Sequence, residues 1–479
     1  MDFSKLTVKK ALQEIKSGNL DPFELLNYYI KNIEADNNKP TPLNAVIKLY
    51  KQQAETAVKK RSPEAPLSGL PVLVKDNFHV KGQETGCASR ILQNYISPYD
   101  GGVTEKLKQA GAVIFGRTNM DEFAMGSTTE HSLYGPTRNP FNRDYIPGGS
   151  SGGAAASISS GQSLCSLGSD TGGSIRQPAA VCGAVGLKPT YGLVSRYGLV
   201  AFGSSLDQIG PVTRTVEDSA LVLQHIAGYD QRDTTSVNRP LPDFSNKLNH
   251  SLKGKKIGLP REYFTKDLNE EIKKAIDKVV AFYKQQGAVI KDISLPATKY
   301  AVGAYYIICT AEASANLARY DGVRYGRRSS KAASLQDLYF NSRNEGFGSE
   351  VKRRIILGTY VLSSGFYDAY YVKAQKVRRI IKNGFNKAFN NVDLILTPAV
   401  PELTAGIGEK TDDPVKMYLL DIYTTALNLA GLPGLTVPCG RDSRGLPLAF
   451  QMVAPYFQED DLLHAGHIFD KENNFQDLL

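Results

Sequence analysis

The 479-residue chain carries 57 Lys and Arg against 48 Asp and Glu, a spread net charge of +9, with 42% hydrophobic and 22% charged residues. That balance excludes a disordered or collagen-like chain and describes an ordinary globular one. No apolar run approaches the ~18 residues needed to span a bilayer, and Lys5, Lys9, Lys10 and Lys16 scatter through an opening segment that lacks the apolar stretch of a secretory signal.

In chain order, Thr7 as a cap and Gly18 as a stop predict a helix over residues 8–17. Asp21-Pro22-Phe23-Glu24 then opens a second helix, with Leu25, Leu26, Tyr29, Ile30 and Ile33 on one face. A further helix is expected over 49–60. From about 66 to 229, short apolar runs (72–74, 113–115, 163–167) alternate with amphipathic stretches such as 104–110, which predicts an α/β sheet covered by helices on both faces. Residues 230–253 are polar, hold two prolines and read as a surface connection. A strand at 256–259 and an amphipathic helix at 269–286 follow. Residues 297–389 are nearly all helical in pattern and rich in tyrosine, and strands return at 392–396, 435–438 and 447–453. The expected organisation is one domain over 1–479, with N-terminal helices (1–62), a Gly/Ser-rich core (63–229), the connection, and a helical subregion (about 297–389) set against the sheet.

Cys87, Cys165, Cys182, Cys309 and Cys439 are odd in number, widely spaced and free of any CxxC pattern. They read as reduced, mostly buried thiols of a cytoplasmic protein without a metal site. The basic clusters Lys253-Lys255-Lys256, Lys352-Arg353-Arg354 and Lys376-Arg378-Arg379-Lys382 read as solvated helix faces, with an RNA-facing surface as the alternative.

The chemistry concentrates between residues 148 and 174, a stretch of almost pure glycine, serine and alanine. Such residues let backbone approach closely and leave a hydroxyl unshielded. Gly148-Gly149-Ser150-Ser151-Gly152 has the spacing of a nucleophile elbow, but the residues before it read as loop where that motif needs a strand. A phosphate-binding reading fails for want of a following Gly-Lys-Ser/Thr. The second cluster, Gly168-Ser169-Asp170-Thr171-Gly172-Gly173-Ser174, follows a strand-like run and precedes a helix start, so Ser174 would stand among uncovered N–H groups suited to an oxyanion. A serine nucleophile needs a base, and none of the six histidines is nominated by spacing. Lys75 ends the apolar run 70–74, where burial would lower its pKa from ~10.4 toward 7; a salt-bridged lysine at a strand end is the alternative.

Lys75, the Gly148–Gly153 segment and Asp170-Thr171-Gly172-Gly173-Ser174-Ile175-Arg176 together closely resemble the amidase signature family, over essentially the whole chain. The resemblance implies an amidase-signature α/β fold with a large mixed central sheet. It implies Ser174 as acyl-enzyme nucleophile, Ser150 (typically after a cis peptide) as proton relay, Lys75 as base, and backbone donors at Thr171, Gly172 and Gly173 for the oxyanion. Residues 119–127, 312–322 and 351–360 further resemble the branch of the family that hydrolyses glutamine for tRNA-dependent amidation. That branch implies a pocket in which Arg354 takes the substrate carboxylate, Asp421 its ammonium, and Tyr305 offers a hydroxyl. It also implies B and C subunits in a heterotrimer, misacylated tRNA as the complex's substrate, and ATP and Mg²⁺ on the partner, with no cofactor in this chain. Thr425-Ala426-Leu427 departs from the Val-Pro-Ala-like step more usual after the aspartate. Alternatives are a free-standing amidase of small amides and a non-catalytic scaffold of an RNA-binding assembly.

Overall fold

The computed structural model describes residues 2–410 and 413–473. The N-terminal segment folds as α1 (Val8–Lys16), α2 (Pro22–Asn37), β1 (Val46–Leu49) and α3 (Lys51–Lys60). Thr7 caps α1 by accepting from the Lys10 N–H, and Asp21 caps α2 by accepting from Phe23. The next segment runs β2 (Pro71–Lys75), α4 (Gly102–Gln109), β3 (Val113–Thr118), α5 (Gly152–Ser159), β4 (Cys165–Asp170), α6 (Arg176–Cys182), β5 (Val185–Lys188), β6 (Gln208–Thr213) and α7 (Val216–Ile226). After the connection come β7 (Lys256–Pro260), α8 (Glu270–Gln285) and β8 (Val289–Ile293), then four helices, α9 (Ala301–Leu317), α10 (Leu335–Gly346), α11 (Ser349–Leu362) and α12 (Lys373–Phe389). The chain closes through β9 (Leu394–Pro398), α13 (Pro414–Leu419), α14 (Thr425–Ala430), β10 (Gly434–Arg441), β11 (Pro447–Val453) and α15 (Glu459–Asn473).

The eleven strands among the described residues form one mixed sheet in the order β1-β3-β2-β4-β6-β5-β10-β11-β9-β7-β8. β2 lies parallel between β3 and β4, and the first of these pairings is closed by the α4 crossover. With neighbours on both edges and helices on both faces, β2 is buried at every position, which is why it reads as an unbroken apolar run ending in a lysine.

Several elements differ from the sequence expectation. Residues 46–49 form the edge strand β1, so the helix expected from 49 begins at Lys51. β5 and β6 carry glycine and proline (VGLK and QIGPVT) and are held by sheet pairing in spite of weak strand propensity. β8 is a half-exposed edge strand. The connection 230–253 is a strap that buries Phe244, Leu248 and Leu252. The helical subregion is interrupted by a loop between α9 and α10 and by a π-helical stretch, Tyr367–Val372.

The small residues of this stretch also build a core. Ala154, Ala155, Ala156 and Ile158 of α5 pack with Leu43, Ala45, Ile175, Ala179, Cys182, Ala184 and Val212. Alanine at these positions lets α5 and α6 approach each other and the sheet with little side-chain bulk between them.

Candidate active site

Lys75 stands at the end of β2, fully buried. Its Nζ lies 2.7 Å from Ser150 Oγ, 2.9 Å from Ser151 Oγ and 3.1 Å from Ser169 Oγ. Ser150 follows a cis peptide from Gly149, and Ser169 comes from the adjacent strand β4. Burial lowers the Lys75 pKa to about 7, against the opposing pull of Asp121, Asp170 and Asp207. The amine is therefore poised to be neutral near pH 7. Ser151 Oγ donates to the Ser169 carbonyl at 3.1 Å, and Ser169 Oγ accepts from Asn77 Nδ2 at 3.0 Å. A neutral amine has two hydrogens and one lone pair. Ser151 commits its own proton to the Ser169 carbonyl, whereas the protons of Ser150 and Ser169 have no other acceptor among the described residues, and Ser150 is the nearest of the three hydroxyls to the amine.

Ser174 sits between β4 and α6, 7% exposed. Its carbonyl accepts the Ser151 N–H at 3.1 Å, which ties the two Gly/Ser segments together. Asp170 organises the turn. Its carboxylate accepts the Gly173 N–H (2.9 Å), the Ile175 N–H (3.2 Å) and Arg176 Nε (3.0 Å), and Asn428 Nδ2 donates to it at 2.9 Å. Burial works against this carboxylate, yet the Arg176 guanidinium and its hydrogen bonds hold the pKa down at about 2. The Gly173 N–H is thus taken up internally. Within the turn, the N–H groups that meet no acceptor among the described residues are those of Thr171, Gly172 and Ser174.

Glycine at 172 and 173 is a steric necessity. A Cβ on Gly172 would lie 2.5 Å from Tyr305 Cζ, and one on Gly173, whose φ is +143°, would lie 2.2 Å from Thr424 Oγ1. Tyr305, on α9 and buried, therefore lies directly over the turn that carries Ser174.

Arg354, on α11, is 2% exposed, which corrects the reading of Lys352-Arg353-Arg354 as a solvated face. Arg378, in the third basic cluster, is likewise drawn inward, donating to the Leu429 carbonyl at 2.8 Å and to Ser205 Oγ at 2.7 Å. Arg354 Nε donates to Glu350 Oε1 at 2.8 Å, and Tyr418 Oη donates to the same oxygen at 3.0 Å. The rings of Phe202, Tyr306 and Tyr418 surround the guanidinium at 5.6, 5.3 and 5.2 Å. Its Nη2 is buried and makes no hydrogen bond among the described residues.

Asp421 is buried and accepts from Ser127 Oγ at 2.5 Å. Burial pushes its carboxyl up to about 7, with Ser127 and Arg354 pulling the other way. Two bridges join the main chain of Asp421 and Ser127 to the two Gly/Ser segments. Thr424 Oγ1 donates to the carbonyls of Gly172 (2.6 Å) and Asp421 (3.1 Å). Gln177 accepts from the Gly149 N–H at 2.9 Å and donates to the Ser127 carbonyl at 3.2 Å. The departure at Thr425-Ala426-Leu427 leaves Asp421 anchored, since α14 starts at Thr425 and the Thr425 N–H donates to the Asp421 carbonyl at 3.0 Å.

Sequence reasoning missed Ser151 and Ser169 as partners of Lys75, Asn77 as a donor to Ser169, Asp170 as organiser of the turn, Gln177 and Thr424 as bridges, Ser127 beside Asp421, and Glu350 behind Arg354. Ser151, Ser169, Asp170 and Asn77 lay inside or next to the quoted motifs. The others carry no local signal. Cys87, Cys165, Cys182 and Cys309 are buried free thiols and Cys439 is half-buried. Among the described residues no cluster of His, Cys, Asp and Glu could hold a metal ion, and no helix is long and apolar enough to cross a membrane.

A desolvated lysine among serine hydroxyls, next to a glycine-bared serine ahead of a helix, is the equipment of acyl transfer without histidine. Residues 24–463 match the family model described as Amidase, and the chain belongs to the amidase family. It is similar to the A subunit of glutamyl-tRNA(Gln) amidotransferase from Methylacidiphilum infernorum, 52% identical over 472 residues that cover 98% of this chain and 95% of that protein. Among solved structures it resembles the A subunit of glutamyl-tRNA(Gln) amidotransferase from Thermotoga maritima, with TM-score 0.81, 40% identity, and coverage of 99% of this chain and 96% of the other. It also resembles 6-aminohexanoate cyclic dimer hydrolase, with TM-score 0.86, 26% identity, and coverage of 100% and 98%.

Proposed function

We propose that this chain is the glutamine-hydrolysing A subunit of a cytoplasmic tRNA-dependent amidotransferase. The observation that carries the chemistry is the buried Lys75 amine, near-neutral in pKa and 2.7 Å from Ser150 Oγ. Ser174 Oγ attacks the side-chain carboxamide carbon of glutamine. Its proton passes to Ser150 Oγ while the Ser150 proton passes to Lys75 Nζ. The developing oxyanion meets the N–H groups of Thr171 and Gly172. As the C–N bond breaks, the proton returns from Lys75 through Ser150 to the leaving nitrogen, releasing ammonia and a γ-glutamyl ester on Ser174. Water, deprotonated along the same relay, cleaves the ester to glutamate and restores the serine.

Glutamine is favoured over simple amides by the charge arrangement at the site. Arg354, with its buried Nη2 uncommitted, suits the α-carboxylate, and Asp421 suits the α-ammonium. Tyr305 lies between these groups and the nucleophile turn and offers its hydroxyl to the substrate. Ammonia then serves the conversion of Glu-tRNA(Gln) to Gln-tRNA(Gln), of Asp-tRNA(Asn) to Asn-tRNA(Asn), or of both, on the partner B and C subunits, which hold ATP, Mg²⁺ and the misacylated tRNA.

The test is amidation of Glu-tRNA(Gln) and Asp-tRNA(Asn) by the chain reconstituted with both partners. With glutamine as sole nitrogen donor, Ser174→Ala is expected to lose amidation by about 10⁵-fold or more, and added ammonium to restore it. Full glutamine-dependent activity in that variant would overturn the assignment.

A further inference from the structure

The segment 119–127 gives Ser127 to the Asp421 carboxylate, but Glu122 within it has no part in the chemistry above, although its side chain is buried. Ser89 Oγ donates to Glu122 Oε1, and the Gly348 N–H donates to Oε2 at 2.9 Å. Gly348 caps the start of α11, the helix that carries Arg354. Burial pushes the Glu122 carboxyl up to about 7, with Ser89, the Gly348 N–H, Lys352 and Arg90 pulling the other way. Such a group is kept out of water at a cost that its hydrogen bonds must offset. The fit around it is close. A Cβ on Gly348 would lie 2.3 Å from Oε2, so glycine is what leaves the N–H open to the carboxylate, and a Cβ on Gly346 would lie 2.5 Å from Ile91 Cδ1. Phe123 and Ala124, next in the chain, hold φ of +51° and +62°, a left-handed backbone that non-glycine residues rarely adopt. That turn sets the Phe123 ring against Phe347 and Tyr320, with centroids 5.7 and 5.2 Å apart. Backbone of this kind persists where its surroundings over-determine it, and it gathers at functional sites. On the other side of Glu122, the Asp121 N–H donates to the Ser150 carbonyl at 3.3 Å, and the Asp121 carboxylate accepts from the Thr129 N–H at 2.9 Å. Two consecutive residues thus tie the Ser150 segment to the N-terminal end of α11.

We propose that Glu122 is a positioning residue for the substrate arginine: by holding the Gly348 N–H it fixes α11 against the Ser150 segment and so sets where Arg354 stands. The inference rests on the reading of Arg354 as the partner of the glutamine carboxylate. Arg354 is the sixth residue of α11, within two turns of the clamped end, so a shift of that end carries the guanidinium with it. Glu350, which pairs with Arg354, belongs to the same helix and cannot by itself anchor it to the core. The bridge needs an accepting oxygen and no charge. In Glu122→Gln the amide oxygen can take the Gly348 N–H and the amide nitrogen can donate to Ser89 Oγ, whose own proton turns to the Gly346 carbonyl 3.3 Å away.

The experiment measures steady-state hydrolysis of glutamine and of the uncharged amide propionamide by the full chain assembled with the B and C subunits, with thermal melts as the fold check. Glu122→Ala removes the carboxylate, and the methyl of Gly348→Ala displaces it from the other side. Each is expected to raise KM for glutamine about tenfold with kcat within about threefold, the mark of a small misplacement away from the chemistry. Turnover of propionamide should change less than about threefold, and Glu122→Gln should keep the glutamine KM within about threefold of wild type. In an Arg354→Ala background Glu122→Ala should add less than about twofold, because both changes act on one contact. An unchanged KM in Glu122→Ala and Gly348→Ala, or an undiminished effect in the Arg354→Ala background, overturns the positioning role. Equal loss on both amides overturns it in favour of general packing. These outcomes leave the proposed function standing when the wild-type complex hydrolyses glutamine and Arg354→Ala raises its KM. A wild-type complex without glutamine hydrolysis, or an Arg354→Ala complex with the wild-type KM, overturns the glutamine reading itself and this inference with it.

Discussion

The two halves of the site are built in opposite ways. The half proposed to move the proton, Lys75, Ser150, Ser151, Ser169 and Ser174, stands on the ends of adjacent strands β2 and β4, on the turn after β4 and on the segment that leads into α5, with hydroxyl, amine and main-chain groups linked at 2.7 to 3.1 Å. The half proposed to hold the substrate comes from helices and a late loop: Tyr305 from α9, Arg354 from α11, Asp421 from the approach to α14. The first half is fixed by main chain and sheet register, so any change disturbs the whole. The second is a set of side chains on packed helices, exchangeable without touching the sheet. A family that keeps one chemistry and varies its amides has good use for that division, and the fold is shared at 26% identity with an enzyme named for a cyclic dimer of 6-aminohexanoate.

The sharpest way to break the comparison is at Lys75. Lys75→Met keeps the bulk and removes the base, and is expected to lower kcat for glutamine hydrolysis by about 10³-fold with KM nearly unchanged. A large KM effect in steady-state kinetics would mean that the two halves are not separable. Arg354→Ala should do the reverse, raising KM for glutamine by about 100-fold, in keeping with the cost of removing one partner of a buried charge pair. Turnover of an uncharged amide such as propionamide should change less than threefold. Equal loss on both amides would move Arg354 from substrate binding to structure.

The smallest effect is that of pH. On the proposed mechanism hydrolysis needs Lys75 neutral and Asp421 ionised, and burial brings both groups to about 7. kcat/KM should therefore fall as pH drops through 7, with a limb steeper than tenfold per unit that Asp421→Asn reduces to a single titration. Stability follows separately. Between about 7 and the ordinary 10.5 the unfolded chain binds the Lys75 proton and the folded chain does not. The Lys75 contribution to stability therefore grows with pH across that window. Urea melts of wild type and Lys75→Met at pH 7.5 and 9.5 should show this slope in the wild type and its loss in the variant. A parallel pH dependence would place the lysine charge elsewhere.

Legibility in the sequence follows the range of the interaction. Helix caps at Thr7 and Asp21, the buried run of β2 and the amphipathic α8 were readable because each is decided within a few residues. β1, β5, β6 and β8 were not, because Gly186, Gly210, Pro211 and the half-exposed edge positions acquire strand geometry only from their neighbours in the sheet. The packing of the α5 alanines was not readable either, because their partners, Leu43, Ala45 and Val212, are far away in the chain. Likewise the Lys352-Arg353-Arg354 cluster reads as three like charges until Glu350 and the rings of Phe202, Tyr306 and Tyr418 draw Arg354 inward.

By itself the sequence determined the chemistry: a lysine closing a buried strand and two glycine-bared serine segments leave few other uses for those residues. It also determined the family, through motifs whose glycines are demanded by close backbone approach. Only the tertiary structure decided that the Lys75 amine faces three serine hydroxyls and that the proton of one of them, Ser151, goes to the Ser169 carbonyl. The tertiary structure also decided that the Gly173 N–H belongs to Asp170, that Asp421 is tied through Thr424 to the turn that carries Ser174, and that Arg354 is buried. Those are outcomes of burial and long-range contact, in which desolvation forces each polar group to find its partner wherever the fold has put one.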